Sequence, residues 1–139
     1  MKITLLDRSL YLKGLMLLIR KDKEIHNEEK GLMMHIGRSL GFDEDFCEKS
    51  IEEILISKHV VDEPPRFSNP DIARCFIKDG LKVSLIDRDA HDHEITWLKS
   101  VSRLNGIEER FVDENVYNAL GQIHESLQNT LEIRNFEWE

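Results

Sequence analysis

The chain has 139 residues, 40% of them hydrophobic and 33% charged, which is enough for one domain with its own core and gives no compositional argument for disorder. Its formal net charge of −8 disfavours non-specific binding to nucleic acid or to an anionic membrane surface, and suits a cation or a basic partner. No run reaches the roughly 18–20 apolar residues of a membrane span, so no direct membrane insertion is expected, and two cysteines without metal-ligand spacing point to a reduced, cytoplasmic setting.

Residues 1–6 read as a short N-terminal arm. The apolar run that follows is broken by Lys13 and lacks a small-residue cleavage site, so it reads as a first helix and not as a signal peptide. Asp7 is placed to cap that helix, whose stripe is Leu10, Tyr11, Leu15, Leu18 and Ile19, widened by Leu12 and Met16. A stripe this wide belongs near the centre of a bundle. Gly14 inside it costs about 1 kcal/mol of helix propensity, which close contact with another helix would offset. A polar corner at 20–27 leads to a second helix with acidic residues in its first turn, apolar Leu32, Met33, Ile36 and Leu40, and a stop at Gly41. Asp43 caps a third helix, with Phe46, Cys47, Ile51, Ile54 and Leu55 predicted to face inward. The linker, about 57–69, carries Pro64 and Pro65 and ends at Asn69–Pro70, an N-cap and first-turn pair; it reads as a hinge between two halves.

The second half then repeats the first at a displacement of 65 residues without a gap. Phe76 falls on Tyr11, Leu81 on Met16, Trp97 on Leu32, Val101 on Ile36, Gly106 on Gly41, Phe111 on Phe46 and Val116 on Ile51. The polar corners align as well: Asp87 falls on Asp22, His91 on His26 and Glu94 on Glu29. Internal duplication is the economical explanation of a shared glycine, a shared loop length and a shared acidic corner. Ile123, Leu127 and Leu131 predict a last helix over about 121–134, with Phe136 and Trp138 anchoring its end or lying exposed on a partner surface. The expectation is one all-α domain over 1–139, a compact bundle of about seven helices, with pseudo-repeats 11–55 and 76–120.

The segments YLKGLMLLIRKDKEIHNEE and FIKDGLKVSLIDRDAHDHEI, with GFDEDF and GIEERF after each second helix, resemble the TerB-like family, small helical proteins of bacterial tellurite-resistance and stress-response systems. The resemblance spans about 10–120. It implies a two-fold pseudo-repeat with an acidic, metal-binding surface, carried over here onto Asp22 and Glu29 in the first half and Asp87 and Glu94 in the second. The family's first corner commonly reads Asp-Gly. Here it reads Asp22–Lys23, and the positive charges of Lys21 and Lys23 weaken the case for a cation there.

The residues argue for chemistry mainly at the second corner. Four acidic residues and two histidines fall within 87–94. Asp87, Asp89, His91 and Glu94 are ligand types for a divalent cation, calcium, magnesium or manganese on the carboxylates alone, zinc or iron once imidazole joins. The spacing matches neither an EF-hand nor HExxH. The same residues equally describe a polar helix corner, with Asp89 or Asp92 capping and Glu94 in the first turn. There is no glycine-rich phosphate loop and no serine in a nucleophile elbow, and Cys47 and Cys75 fall on apolar faces, so no catalytic residue is assigned. These features together predict a non-enzymatic adaptor or sensor with a protein partner, its oligomeric state open. The alternative is a metal-binding module, or a metal-dependent enzyme, built on the acidic corners.

Overall fold

Six helices carry the fold of the computed structural model, which describes residues 2–19, 27–56, 63–84, 92–121 and 137–138. They are α1 (Leu5–Ile19), α2 (Asn27–Ser39), α3 (Glu44–Ile56), α4 (Pro70–Ser84), α5 (Asp92–Leu104) and α6 (Glu109–Gly121). The bounds of α4, α5 and α6 are those of α1, α2 and α3 moved by 65 residues, at both ends of every helix. Two-residue strands β1 (Lys2–Ile3) and β2 (Glu137–Trp138) pair in parallel, Ile3 opposite Trp138, which brings the end of the chain back to its start. Trp138 is therefore placed by its backbone in that pair. The expected last helix falls on 122–134, outside the described residues, and Gly121 closes α6.

Local capping explains where the helices begin and end. At α1 the cap is Thr4 and not Asp7. The Asp7 amide donates to Thr4 Oγ1 at 3.1 Å and the Thr4 hydroxyl donates back to Asp7 Oδ2 at 3.0 Å, a reciprocal box with the acid three residues into the helix. Asp43 caps α3 by accepting from the Phe46 amide at 2.8 Å, and Asn69 caps α4 by accepting from the Asp71 amide at 2.7 Å. The second helix of each half ends in the same turn. Gly41 and Gly106 sit at φ 87° and 72°, and the amides of Phe42 and Ile107 reach back to the carbonyls of Gly37 and Ser102 at 3.0 and 2.8 Å. A left-handed residue is needed there, and only glycine adopts it without penalty.

The core is built on the packing of α1 against α4. A Cβ on Gly14 would lie 2.6 Å from the Phe76 ring, so the missing side chain is what lets that ring in. The reciprocal contact joins the matching positions: Tyr11, the mate of Phe76, reaches Asp79, the mate of Gly14, with its hydroxyl donating to Asp79 Oδ2. The two helices thus meet through one contact used twice, as across a two-fold axis. Tyr11, Phe76 and Phe67 form an aromatic cluster with centroids 5.2–5.8 Å apart, and Tyr11 meets Phe76 edge-on. Leu12, Leu15, Met16, Ile77, Leu81, Met33, Ile36, Leu98 and Val101 complete the buried centre.

The linker behaves differently from a hinge over 63–69. Phe67 is buried in the aromatic cluster. Asn105 accepts from the Phe67 amide at 2.9 Å and donates to the Pro65 carbonyl at 2.9 Å. Asp7 accepts from the Ser68 amide at 3.0 Å and from the Ser68 hydroxyl. Backbone groups that would otherwise be left unpaired beside the core are thereby satisfied, and the segment becomes a strap across both halves. Phe46 is a second departure. It is 43% exposed and stacks on Phe42 at 4.7 Å instead of entering the core, while its neighbours Cys47 and Ile51 are buried as expected.

Candidate functional site

The second corner joins the end of α4 at Ser84 to the start of α5 at Asp92. Glu94 is the third residue of α5, and Glu29 is the third residue of α2. Glu94 is 2% exposed, unlike the solvated first-turn carboxylate that a plain helix cap implies. Ser84, at the other side of the corner, is buried too. The remaining predicted ligands, Asp22, Asp87, Asp89 and His91, lie outside the described residues, as does the side chain of Glu29. Among the described residues no group of three or more His, Cys, Asp or Glu side chains is placed to hold a metal ion.

Two carboxylates are buried where sequence reasoning did not expect it: Asp79 was not singled out at all, and Asp7 was read only as a helix cap. Asp79 is fully buried between the central helices and takes the Tyr11 hydroxyl. The available signal was its register: it stands three residues after Phe76 and four before Val83, inside the apolar stripe of α4. Asp7 is 2% exposed and binds Thr4 and Ser68. Both carboxylates meet donors from their own fold, Asp79 across the α1–α4 interface and Asp7 at the strap.

The cysteines play the structural part expected of them. Cys47 is buried at the α2–α3 contact, its sulfur filling the space that a Cβ on Gly37 would occupy. Burial pushes its thiol above the ordinary value of 9.0, and the Asp43 carboxylate adds to the shift, so it stays a neutral, poorly nucleophilic thiol.

The outer helices of the two halves treat charge in opposite ways. On the α6 side, acids meet bases of the same half: Asp113 pairs with Lys99 at 3.1 Å, Glu109 with Arg103, Glu108 with Arg110 at 3.0 Å, and Glu114 approaches Arg110 at 3.9 Å. On α3, Glu44, Asp45, Glu48, Glu52 and Glu53 are all exposed and make no ion pair among the described residues, with Lys49 the lone base of the helix. The apolar residues differ likewise. Ile107 is buried and Phe111 half-buried, whereas their mates Phe42 and Phe46 form a stacked pair with one ring open to solvent. The Arg8 guanidinium lies 5.9 Å from the Phe42 centroid. The packing explains the difference: α6 lies broadly on both α4 and α5, while α3 leans on α2 and touches α1 less.

No family model matches this chain, and no curated protein or solved structure matches it. The arrangement itself offers a strapped helical core, a corner with a buried carboxylate, and one acidic outer helix. No helix among the described residues is long and apolar enough to cross a membrane.

Proposed function

We propose that this is a TerB-like protein acting as a non-enzymatic adaptor or sensor in a cytoplasmic stress-response assembly, by binding another protein. The observation that carries the reading is the repeat: three helices recur at 65 residues, with the same glycine turn in each half and one contact used twice between α1 and α4. That is the architecture the resemblance implies. The net charge of −8 and the acidic residues of α3, which make no ion pair among the described residues, suit a basic protein partner. The test is a pull-down with the full chain from cells under metal-oxyanion stress. A stable, stoichiometric protein partner is expected, and its absence counts against the adaptor.

The second reading is a divalent-cation module at the second corner, with Asp87, Asp89, His91 and Glu94 as candidate ligands and Asp22 and Glu29 as their counterparts. It is favoured by one observation, the burial of Glu94 where a solvated helix cap was expected. Calorimetric titration of chelator-treated protein with calcium, magnesium, manganese and zinc tests it. Binding tighter than about millimolar that an Asp87→Ala/Glu94→Ala double variant loses supports a metal corner. Weaker binding, or binding that the double variant keeps, removes it.

A further inference from the structure

We propose that Asn105–Gly106 is a self-modification site guarded by the strap: opening of residues 65–68 frees the Asn105 carboxamide for attack by the Gly106 amide nitrogen, and the acid left behind keeps the strap from closing again. The inference goes beyond the adaptor reading and does not rest on it.

Of the chain's asparagines, only Asn105 is followed by glycine. Glycine carries no side chain to hinder its own amide nitrogen, so this asparagine is the one most open to ring closure. The surroundings agree. Gly106 is exposed, lies at φ 72°, and a Cβ built on it would meet nothing within 4 Å. Its amide donates to the Arg103 carbonyl at 3.2 Å, the long end of the hydrogen-bond range. The matching turn of the first half reads Leu40–Gly41 and has no side-chain amide to react.

The closed strap fixes the carboxamide. Asn105 Nδ2 donates to the Pro65 carbonyl at 2.9 Å and to the Val101 carbonyl at 2.8 Å, and Oδ1 accepts from the Phe67 amide at 2.9 Å. Both donors of the amide are thereby used. Turning Cγ onto the Gly106 nitrogen requires giving up these bonds. Opening of the strap removes those to Pro65 and Phe67 and leaves the one to Val101, a helical turn back along the same chain.

In the reaction the Gly106 nitrogen attacks Asn105 Cγ. The N–Cγ bond forms, the nitrogen's proton passes to solvent, and Nδ2 leaves as ammonia. Water then opens the cyclic imide, at Cγ to give aspartate or at the Asn105 backbone carbonyl carbon to give isoaspartate. One water is consumed and one ammonia released, with no oxidant or reductant. Either product is a carboxylate, which accepts hydrogen bonds and donates none. Aspartate sets an oxygen against the Pro65 and Val101 carbonyls where Nδ2 donated, and isoaspartate also reroutes the backbone. A transient local opening thus becomes permanent.

The experiment incubates the full chain at neutral to mildly alkaline pH, both native and unfolded in urea, and maps digests by mass spectrometry with isoaspartate detection. Conversion at Asn105 is expected to be at least about tenfold slower in the native chain than in urea. Ser68→Ala removes the hydroxyl bond to Asp7 at the other end of the strap without touching Asn105, and is expected to speed native conversion about three- to tenfold. Asn105→Asp, the product itself, is expected to speed hydrogen exchange at 65–68 at least about tenfold. Asp79–Gly80, buried within α4, stays unmodified in the native chain. Native conversion as fast as in urea overturns the guard, as does Ser68→Ala converting at the native rate. Isoaspartate at Asp79 in the native chain makes global unfolding the route and also overturns it. Unchanged exchange in Asn105→Asp overturns the permanent release, and no product at Asn105 even in urea overturns the site. Circular dichroism checks that both variants fold; the comparison of native with unfolded chain needs no variant and decides the guard by itself.

Discussion

The two halves of this protein share their helix bounds to the residue but not the chemistry they place on them. At the centre, Tyr11 meets Asp79 while Phe76 meets Gly14, so one contact is a buried hydrogen bond and its twin is a ring in a glycine notch. At the turn after the second helix, Leu40 and Asn105 occupy matching positions. Leu40 is buried and its carbonyl accepts from Arg8 at 3.0 Å, whereas the Asn105 side chain grips the strap. At the surface, α6 balances its charge, and the acids of α3 meet no base among the described residues. Helix bounds depend on local capping and on a shared apolar period, so a repeat keeps them easily. Side chains at equivalent positions are free to specialise once the strap has made the two ends of the molecule different.

Breaking the central pair is the most damaging way to test that contrast. Phe76→Ala empties the notch against Gly14 and is expected to cost about 3–5 kcal/mol, read by denaturant unfolding. Tyr11→Phe keeps the ring and removes only the donor to Asp79; it should cost about 1–3 kcal/mol, less than its twin. If the two variants cost the same, the hydrogen bond and the ring packing are equivalent in energy and the contrast fails. Asn105→Ala leaves the Phe67 amide and the Pro65 carbonyl without their partner and is expected to cost about 1–3 kcal/mol, with faster hydrogen exchange concentrated at 65–68. Unchanged exchange there means that Asn105 does not hold the strap. Lys99→Ala breaks an ion pair between a half-buried lysine and an exposed aspartate on the α6 side and should cost no more than about 1 kcal/mol, shrinking further in high salt. A larger loss makes the α6 charges structural and weakens their use as the balanced reference for α3.

Much of the architecture was legible because it follows from period and punctuation. The apolar spacing marked the helices, Asp43 and Asn69 marked two starts, and Gly41 marked an end. The cost of Gly14 pointed to a close helix contact, which Phe76 supplies. Asp7 was misread because Thr4 and Asp7 form one box, and only the hydrogen-bond direction shows which residue caps. Phe46 was misread because an aromatic on the apolar side of a helix is normally core. Here α3 touches α1 less than it touches α2, and the ring stacks on Phe42 instead.

The candidate corners were legible as composition, four acids and two histidines in eight positions, but composition does not say which carboxylate is buried. That was decided for Glu94 by how α5 packs against the rest of the bundle. From the sequence alone came the helical class, the 65-residue displacement and the acidic balance, since each depends on residues near one another in the chain. Tertiary structure alone decided that Asp79 meets Tyr11, that residues 63–69 form a strap, and that the acids of α3 meet no base among the described residues. Each of these joins, or fails to join, groups from different elements, and no local preference encodes their meeting.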